Sequence, residues 1–417
     1  MLSRRNSATF GIMRILHTSD WHLGQHFIGR SRLAEHQAFL HWLVTQVKQQ
    51  QIDAIIVAGD IFDTATPPSY ARELYNQFIV DLQGSGCQLV ILGGNHDAAA
   101  VLNESKNLLR CLNTTVVASP SADISQQLLT LYNRDQQPAL LLCAVPFLRP
   151  RDLLQSQSGQ SGSEKQRDLQ QAIAAHYQQL FTLAQQYNQQ HKLSLPIVMT
   201  GHLTTVGISQ SESVRDIYIG SLEAFSAAAF PPADYIALGH IHQSQQLNTT
   251  TDIRYSGSPL PLSFDEAGQQ KQAWLIEFNP EGKSVSSLAI PCFQPLCSIQ
   301  CSLLELPQRL EQATAPLKAG ETLWLELVIS ETDAYLTDLQ QRVEPLLQGL
   351  AVELLRLRRQ RGSNSTAFSA PEQHSLAELT PQQVWQARLS NENLSDEQQQ
   401  QLTALHQQVL ASVEAAE

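Results

Sequence analysis

The sequence predicts a layered α/β domain, followed by a small α+β domain and C-terminal helices. Apolar, strand-like runs alternate with helix-like stretches from Met13 to about Phe278, which is typical of a layered α/β domain. Five of the apolar runs stop at a short polar cluster whose side chains can bind metal. The chain has 417 residues, which is long enough for more than one domain, because a single core stops growing at about 250–300 residues.

The large domain is expected at residues 13–280. Its buried strands are predicted at residues 15–19, 54–58, 89–92, 197–200 and 235–238. Its helices are predicted at residues 32–50, 69–83 and 165–190. Because the ligands of α/β sheets gather at the carboxyl ends of the strands, we expect the five polar clusters along one rim of one sheet.

The region after the large domain divides into three parts. A small α+β domain is expected at residues 281–360, where three strands flank two short helical patterns. These strands are predicted at residues 296–303, 322–329 and 351–358. Residues 361–370 are rich in Gly, Ser and Asn and are interpreted as a flexible linker. Residues 371–417 are predicted to form helices.

The last helical stretch carries an apolar stripe. Its members recur at helical spacing on one face: Leu402, Leu405, Val409 and Val413. Such a stripe needs a surface to cover it. Two alternatives stay open, since the helices can bind a partner or pack back onto their own chain.

Residues 1–12 precede the first predicted strand. Arg4 and Arg5 resemble the start of an export signal, but Arg14 interrupts the sequence before any apolar signal core forms. We expect these residues to be disordered or not translated, with initiation at Met13.

Composition excludes several classes of protein. The net charge of −12 and a pI of about 5.5 argue against a broad basic face for nucleic acid. The longest apolar stretch, residues 139–148, is too short to span a bilayer. The six cysteines show no CxxC pair, so we expect no disulfide framework and a reducing compartment, the cytoplasm. Cys292, Cys297 and Cys301 are interpreted as buried apolar thiols rather than zinc ligands.

Seven residues of the polar clusters are candidate metal ligands. They are Asp20, His22, Asp60, Asn95, His202, His240 and His242. Asp60 follows the most continuously apolar strand and is the best candidate to bridge two metals. Imidazole, carboxylate and amide together suit manganese, iron or zinc better than calcium. Two carboxylates against two divalent ions leave a charge of about +2, so phosphate is attracted where the metals bind.

His96 and Asp97 follow the candidate ligand Asn95. The side chain of His96 points differently from that of its neighbour, so it can contact a scissile phosphate and act as a general acid. Asp97 can orient His96 or cap the following helix. Histidines outside the clusters are interpreted as structural: His17, His26, His36, His41, His176, His191, His374 and His406.

The order of the five clusters resembles that of the calcineurin-like metallophosphoesterases. The pattern DxH, GD, GNHD, GH, GHxH is present in full and in sequence. The resemblance implies a layered β-sandwich flanked by helices, and it supports the acid role of His96. The segments "HTSDWHLGQ", "TGHLTTVG" and "YSGSPLPLSFDE" resemble the members that process DNA double-strand breaks.

This narrower resemblance implies a function. It implies manganese-dependent 3′ to 5′ exonuclease action on duplex DNA and endonuclease action on single strands and hairpins, in DNA repair, recombination and replication. Two divalent ions are implied, manganese first, with magnesium or iron as alternatives. The implied partner is an ATPase with a long coiled coil, joined to a homodimer of this chain in a heterotetramer. The small α+β domain is implied to cap the site and contact DNA.

Other interpretations stay open. A phosphatase or small-molecule phosphodiesterase of the same family uses the same metals, but Asp63 is followed by Thr64 and not by the Arg-Gly of protein phosphatases. A scaffold with purely structural metals is a third alternative, although Asn95 and a bridging carboxylate favour open sites. Relatives from archaea and eukaryotes tend to carry His at the position of Asp63. The arginines of residues 356–361 can contact phosphate or form a solvated run.

Overall fold

The computed structural model describes residues 11–154, 161–206, 208, 224–330, 336, 338–360, 402, 403 and 405. The predicted N-terminal extension up to residue 10, the linker and most of the predicted C-terminal helices lie outside the described residues. Arg361 and part of the apolar stripe, Val409 and Val413, also lie outside them.

The first sheet has six strands in the order β14-β13-β1-β4-β5-β6. Its strands are β1 (Met13–Thr18), β4 (Ala54–Val57), β5 (Gln88–Leu92), β6 (Thr114–Val117), β13 (Gln272–Asn279) and β14 (Gly282–Ala289). Strands β1, β4, β5 and β6 run parallel, whereas β13 and β14 add an antiparallel edge. The four residues of β4 are all buried, as expected for an interior parallel strand covered on both faces.

The second sheet also has six strands, in the order β11-β12-β10-β9-β8-β7. Its strands are β7 (Leu128–Tyr132), β8 (Pro138–Cys143), β9 (Ile197–His202), β10 (Tyr235–Gly239), β11 (Gln245–Gln246) and β12 (Ile253–Tyr255). Strands β8, β9, β10 and β12 are parallel. A separate short hairpin is formed by β2 (His26–Phe27) and β3 (Arg30–Ser31).

The two sheets pack face to face and form a β-sandwich. One apolar cluster combines side chains from both sheets, including Ile15, Ile56, Val90, Leu140, Val198 and Ala237. The buried His17 adds a polar link, with Nδ1 lying 3.0 Å from the Tyr235 hydroxyl. The expectation of one sheet was therefore wrong, because an apolar run reports burial but not the sheet in which a strand pairs. The layered α/β class itself is confirmed.

Helices cover the outer faces of the sandwich. They are α1 (Leu33–Gln49), α2 (Ser69–Leu82), α3 (Ala99–Asn103), α4 (Lys106–Arg110), α5 (Pro150–Leu153) and α6 (Gly162–His191). Helices α1 and α2 place Phe39 and Phe78 in the cluster that lies on the first sheet. Helix α6 places Ile173 and Tyr177 in the cluster that lies on the second sheet. The three predicted helices of the large domain are present within a few residues of their expected ends.

Three strands and two helices follow the sandwich. They are β15 (Leu296–Cys301), α7 (Leu306–Thr314), β16 (Leu323–Ile329), α8 (Leu339–Leu347) and β17 (Val352–Arg359). The strands form a sheet in the order β15-β16-β17. Since β14 pairs with β13, the first sheet extends past the predicted domain boundary at residue 280. The predicted α+β domain as a unit stays a prediction.

The chain forms two compact units by internal contacts. The first comprises Met1–Ile299, Pro307–Leu327 and Leu347–Leu357. The second comprises Gln300–Leu306, Val328–Leu346 and Arg358–Glu417. The sandwich lies entirely within the first unit.

The cysteines are all free thiols, as expected. Cys301 is buried and Cys297 is partly exposed, but Cys292 is exposed, so its predicted burial was wrong. Cys292 falls in the segment between β14 and β15, where no alternation of strand faces applies. In the described part of the chain, no helix combines the length and the apolar character needed to cross a bilayer.

Candidate metal centre

The candidate ligands lie where strands end, and they come from both sheets. The first sheet supplies Asp20 and His22 after β1, Asp60 after β4 and Asn95 after β5. The second sheet supplies three imidazoles, from His202 at the end of β9 and from His240 and His242 after β10. The structure therefore brings together all seven residues that the sequence singled out as ligands.

Six of these residues form two buried groups. The first triad is Asp20, His22 and His242, and the second triad is Asp60, His202 and His240. Within each triad, one ligand atom from every residue lies within 4.8 Å of the others. Each triad mixes carboxylate and imidazole, a donor set that could hold a divalent ion.

Asp60 belongs to the second triad and also faces the first. Its Oδ2 is 3.3 Å from Nε2 of His202 and 3.7 Å from Nε2 of His22. Burial would raise the pKa of this carboxyl, but the neighbouring imidazoles of His202, His22 and His96 hold it well below its ordinary value. A buried carboxylate kept ionised beside both triads is suited to bridge two cations.

Asn95 belongs with the second triad. Its Oδ1 lies 2.8 Å from Nε2 of His202 and 3.2 Å from Nδ1 of His240. The amide oxygen thus faces the same space as the two imidazoles, as a neutral oxygen ligand would.

The two imidazoles of the second triad have opposite acid–base behaviour. Burial disfavours a charged His202, but Asp60 and the carbonyl of Ala58, 2.9 Å from Nδ1, raise the pKa of His202 to about 9. Burial and the nearby His202 hold the pKa of His240 well below its ordinary value. The second triad therefore favours positive charge beside Asp60 and leaves His240 neutral, the form that binds metal.

In the described part of the site, the Nε2 atoms of two histidines lack a hydrogen-bond partner, as expected of metal ligands. Among the described residues, Nε2 of His22 and Nε2 of His240 are buried without a hydrogen-bond partner. Buried polar atoms are almost always paired in native proteins, so each exception requires an explanation. A divalent ion is the natural partner for an imidazole nitrogen that is surrounded by carboxylates and further imidazoles.

The backbone is unusual at four candidate ligands. Asp20, His22, Asp60 and His240 have φ values of 55°, 46°, 53° and 92°, in the region that favours glycine. Such a conformation destabilises a residue other than glycine by about 1–2 kcal/mol. Strained conformations of this kind occur most often at functional sites. Gly94 permits a close approach to this loop, because a β-carbon there would lie 2.1 Å from Oδ1 of Asp60.

His96 is held at the edge of the centre. Its Nδ1 lies 2.7 Å from the carbonyl oxygen of Asp63, and its ring is 4.8 Å from that of His22. A carbonyl can only accept, so Nδ1 carries a proton and Nε2 is the nitrogen that can exchange one.

Asp97 has a different place from the one expected. Its carboxylate accepts three backbone N–H groups, from Ile61 at 3.1 Å, Phe62 at 3.0 Å and Gly94 at 2.8 Å. Burial and the charge of Asp60 raise the pKa of Asp97 to about 6, although these donors oppose the shift. Asp97 thus ties two site loops together. The helix-capping alternative is wrong, since the N-cap residue of α3 is Ala98.

Sequence reasoning missed two carboxylates behind the first triad. Oδ1 of Asp63 lies 3.2 Å from Nδ1 of His22, and Oε1 of Glu266 lies 3.7 Å from Nδ1 of His242. Asp63 stands three residues after Asp60, but that spacing alone assigns it no role. Glu266 closes the segment "SFDE", and nothing in its local pattern points to His242.

The β-sandwich and its paired His/Asp triads define a phosphoesterase of the calcineurin-like class. The calcineurin-like phosphoesterase family matches residues 13–244. The SbcD subunit of the nuclease SbcCD from Escherichia coli K12 is 50% identical over 394 residues, covering 94% of this chain and 96% of the relative. The chain therefore belongs to the SbcD family of nuclease subunits, and the expectation drawn from its motifs is confirmed.

The chain is also similar to other proteins. The SbcD subunit of the nuclease SbcCD from Rhodobacter capsulatus is 32% identical over 397 residues, covering 90% of this chain and 94% of the relative. A family described as the type 5 capsule protein repressor C-terminal domain matches residues 292–393. A dimetal phosphatase from Danio rerio has a TM-score of 0.37 and 11% identity, covering 67% of this chain and 98% of that one.

Proposed function

We propose that this protein is a two-metal DNA nuclease, the nuclease subunit of a complex with an SbcC-type ATPase. The observation that carries the proposal is the pair of buried triads, in which Asp60 of the second triad also faces His22 of the first. Two-metal sites of this kind suit phosphodiester hydrolysis, because two neighbouring cations can stabilise both the attacking and the leaving oxygen. The similarity to subunits of SbcCD nucleases supports a nucleic acid substrate, and the resemblance of the motifs to proteins that process double-strand breaks favours DNA.

Two ions would share the seven candidate ligands. Asp20, His22 and His242 would hold one ion, Asn95, His202 and His240 would hold the other, and Asp60 would bridge. When bound, manganese ions would supply positive charge for the phosphate and lower the pKa of water, so that hydroxide is available to attack near neutral pH. The ligand chemistry favours manganese and also accepts iron or magnesium.

His96 would act as the general acid. The carbonyl of Asp63 fixes the proton on Nδ1, so a protonated ring would give its Nε2 proton to the leaving oxygen. The backbone N–H of His96 is held by Oδ1 of Asp60 at 2.9 Å, which fixes the loop relative to the bridging carboxylate. Asp97 would act by holding the loops in register and not by orienting His96.

The proposed reactions are 3′ to 5′ exonuclease action on duplex DNA and endonuclease action on single strands and hairpins. They would serve DNA repair, recombination and replication in the cytoplasm. The net charge of −12 means that DNA would be attracted locally, at the metal positions, and through surfaces shared with a partner. A homodimer of this chain within a heterotetramer is the proposed assembly.

The partner would bind through residues 371–417. The apolar stripe beyond a Gly/Ser/Asn-rich segment is typical of a helix that docks on another helical surface, here the coiled coil of the ATPase. The small α+β region would cap the site and contact DNA. In it, Arg356 already pairs with Glu326, so that arginine is a weaker candidate for phosphate contact.

Cleavage assays with manganese test the proposal. The purified protein, with and without its ATPase, is given hairpin DNA, single-stranded DNA, linear duplex DNA and a chromogenic phosphodiester. Cleavage of both DNAs, with duplex ends cut only when the ATPase and ATP are present, is expected. Cleavage of the small phosphodiester alone would instead indicate a phosphodiesterase, and no cleavage at all would indicate a scaffold.

A further inference from the structure

A buried ion pair lies behind the first triad. Nζ of Lys271 is 2.6 Å from Oε2 of Glu266, and both side chains are almost fully buried. Removing two opposite charges from water is costly, and well-packed apolar side chains often stabilise a core as well or better. Stability alone therefore does not account for this pair.

Each N–H donor of the Lys271 ammonium has an acceptor. An ammonium has three N–H donors. Nζ of Lys271 has three acceptors, namely Glu266 Oε2, Ser258 Oγ at 3.0 Å and the carbonyl oxygen of His242 at 3.1 Å. The same cation thus fixes both the Glu266 carboxylate and the backbone of a candidate ligand.

Glu266 is fixed on one side and faces His242 on the other. Its Oε2 accepts the N–H of Leu262 at 3.1 Å in addition to Lys271. Its Oε1 accepts the hydroxyl of Ser263 at 3.2 Å and lies 3.7 Å from Nδ1 of His242. The anchored carboxylate therefore faces the Nδ1 side of the His242 ring.

The second triad is supported differently. There, Nδ1 of His202 lies 2.9 Å from the carbonyl oxygen of Ala58, a neutral acceptor. A carboxylate behind a ligating imidazole makes the ring a stronger donor to metal than a carbonyl does, and it fixes the tautomer more firmly. The two metal positions are therefore built with unequal support.

We propose that Glu266, held by Lys271, is a positioning residue for His242. Its carboxylate accepts the Nδ1 proton, directs Nε2 toward Asp20 and His22, and strengthens the binding of a divalent cation by the first triad. This inference rests on the proposed role of His242 as a metal ligand.

Titration of the full chain with Mn²⁺ tests the inference. The signal of free Mn²⁺ in electron paramagnetic resonance reports binding without reference to catalysis. In Glu266→Gln, the Kd of one of two bound ions is expected to rise about 10–100-fold, the usual effect of losing such a partner. The other Kd should stay unchanged. Wild-type values for both ions would overturn the proposal.

A double variant separates positioning from folding. Glu266→Gln leaves Lys271 without its counter-charge, so the fold is expected to lose stability for that reason alone. Glu266→Gln combined with Lys271→Met removes both charges and should recover the melting temperature while Mn²⁺ binding stays weak. Recovery of binding together with stability would show that Glu266 acts only through the fold.

Two further variants complete the design. Glu35→Gln removes another buried carboxylate, one paired with Arg32, and should leave both Mn²⁺ affinities unchanged. His242→Ala tests the underlying assumption. If it keeps two bound ions, the ligand role of His242 fails. If it loses an ion while Glu266→Gln does not, only the positioning role is wrong.

Discussion

The backbone N–H of His96 donates to Oδ1 of Asp60 at 2.9 Å. The other carboxylate oxygen of Asp60 faces one imidazole of each triad, from His202 and from His22. One side chain thus fixes the loop of the proposed acid and faces both candidate metal positions. Changes at Asp60 are therefore expected to disturb metal binding and proton transfer together.

Asp60→Asn is expected to abolish manganese-dependent DNA cleavage while the fold persists, because both metal positions lose a shared negative charge. Cleavage of single-stranded DNA and metal content are measured, with circular dichroism as the check on folding. Asp123→Asn, at an exposed turn, is the matched control. A retained rate above about a tenth of wild type would contradict the bridging role, since loss of a metal-binding charge is expected to cost at least that much.

His96→Ala is expected to keep both metals and to lose about 10²–10⁴ in rate, the usual contribution of general acid catalysis. Single-turnover cleavage is compared with manganese content in the same preparations. The exposed His26 provides the control, as His26→Ala. An empty metal position in His96→Ala would make this residue a ligand instead.

Asp97→Asn is expected to lower the free energy of unfolding by about 1–3 kcal/mol. In the wild type, both carboxylate oxygens accept backbone N–H groups. In the variant, the amide N–H₂ replaces one of these oxygens and cannot accept, so at least one backbone N–H loses its partner. Urea unfolding measures the loss. Activity should fall with the loosened loops, without any change in the pH dependence that a proton-transfer role would give. An unchanged unfolding midpoint would show that these loops do not need the carboxylate.

His17 is expected to make the fold sensitive to acid. Burial between the sheets lowers the pKa of His17 to about 3 from an ordinary 6.5. Between these values the unfolded chain binds more protons than the folded one, so stability falls as pH is lowered. At pH 5, protonation of His17 in the unfolded chain is expected to have lowered the free energy of unfolding by about 2 kcal/mol.

His17→Gln is therefore expected to reduce the drop in unfolding free energy between pH 7 and pH 5. Urea unfolding at several pH values measures the slope, and His26→Gln, at an exposed position, should leave it unchanged. An identical slope in His17→Gln would mean that other groups carry the acid sensitivity.

Truncation at Gly362 is expected to leave manganese-dependent cleavage of short single strands intact and to remove co-purification with the ATPase. The reason is the apolar stripe in residues 371–417, which calls for a covering surface. Affinity capture of the ATPase and its ATP-dependent action on duplex ends are measured. A truncated chain that misfolds, or one that still captures the partner fully, would place these helices in the core.

The sequence identified the candidate centre because the candidate ligands follow signals that are local. Asp60 follows four buried apolar residues of β4, and Asp20 and His22 follow β1 directly, so a strand-end rule finds them. The apolar pattern alone did not predict the partition into two sheets, because β9 and β10 have the same pattern in either arrangement. Only the family resemblance implied a sandwich. The positive φ values at Asp20 and His240 could not be predicted from the sequence either, because neither residue type specifies that conformation.

The partners of the ligands depended on tertiary structure. Asp97 stands next to His96 in sequence, which suggested that one orients the other, yet its carboxylate binds the backbone of residues 61, 62 and 94. Glu266 reaches His242 through packing that no local period encodes. Such contacts are set by how the loops meet and not by spacing along the chain.

Each triad takes its members from both sheets, and this division bears on the order of folding. A folding intermediate with only one sheet in place would present part of each triad, but neither complete triad. Binding of the proposed metals would then require the docking of the two sheets, which would make it a late event. The rate of Mn²⁺ uptake during refolding would therefore report the rate at which the two sheets dock. Ordinary probes of secondary structure do not resolve this step.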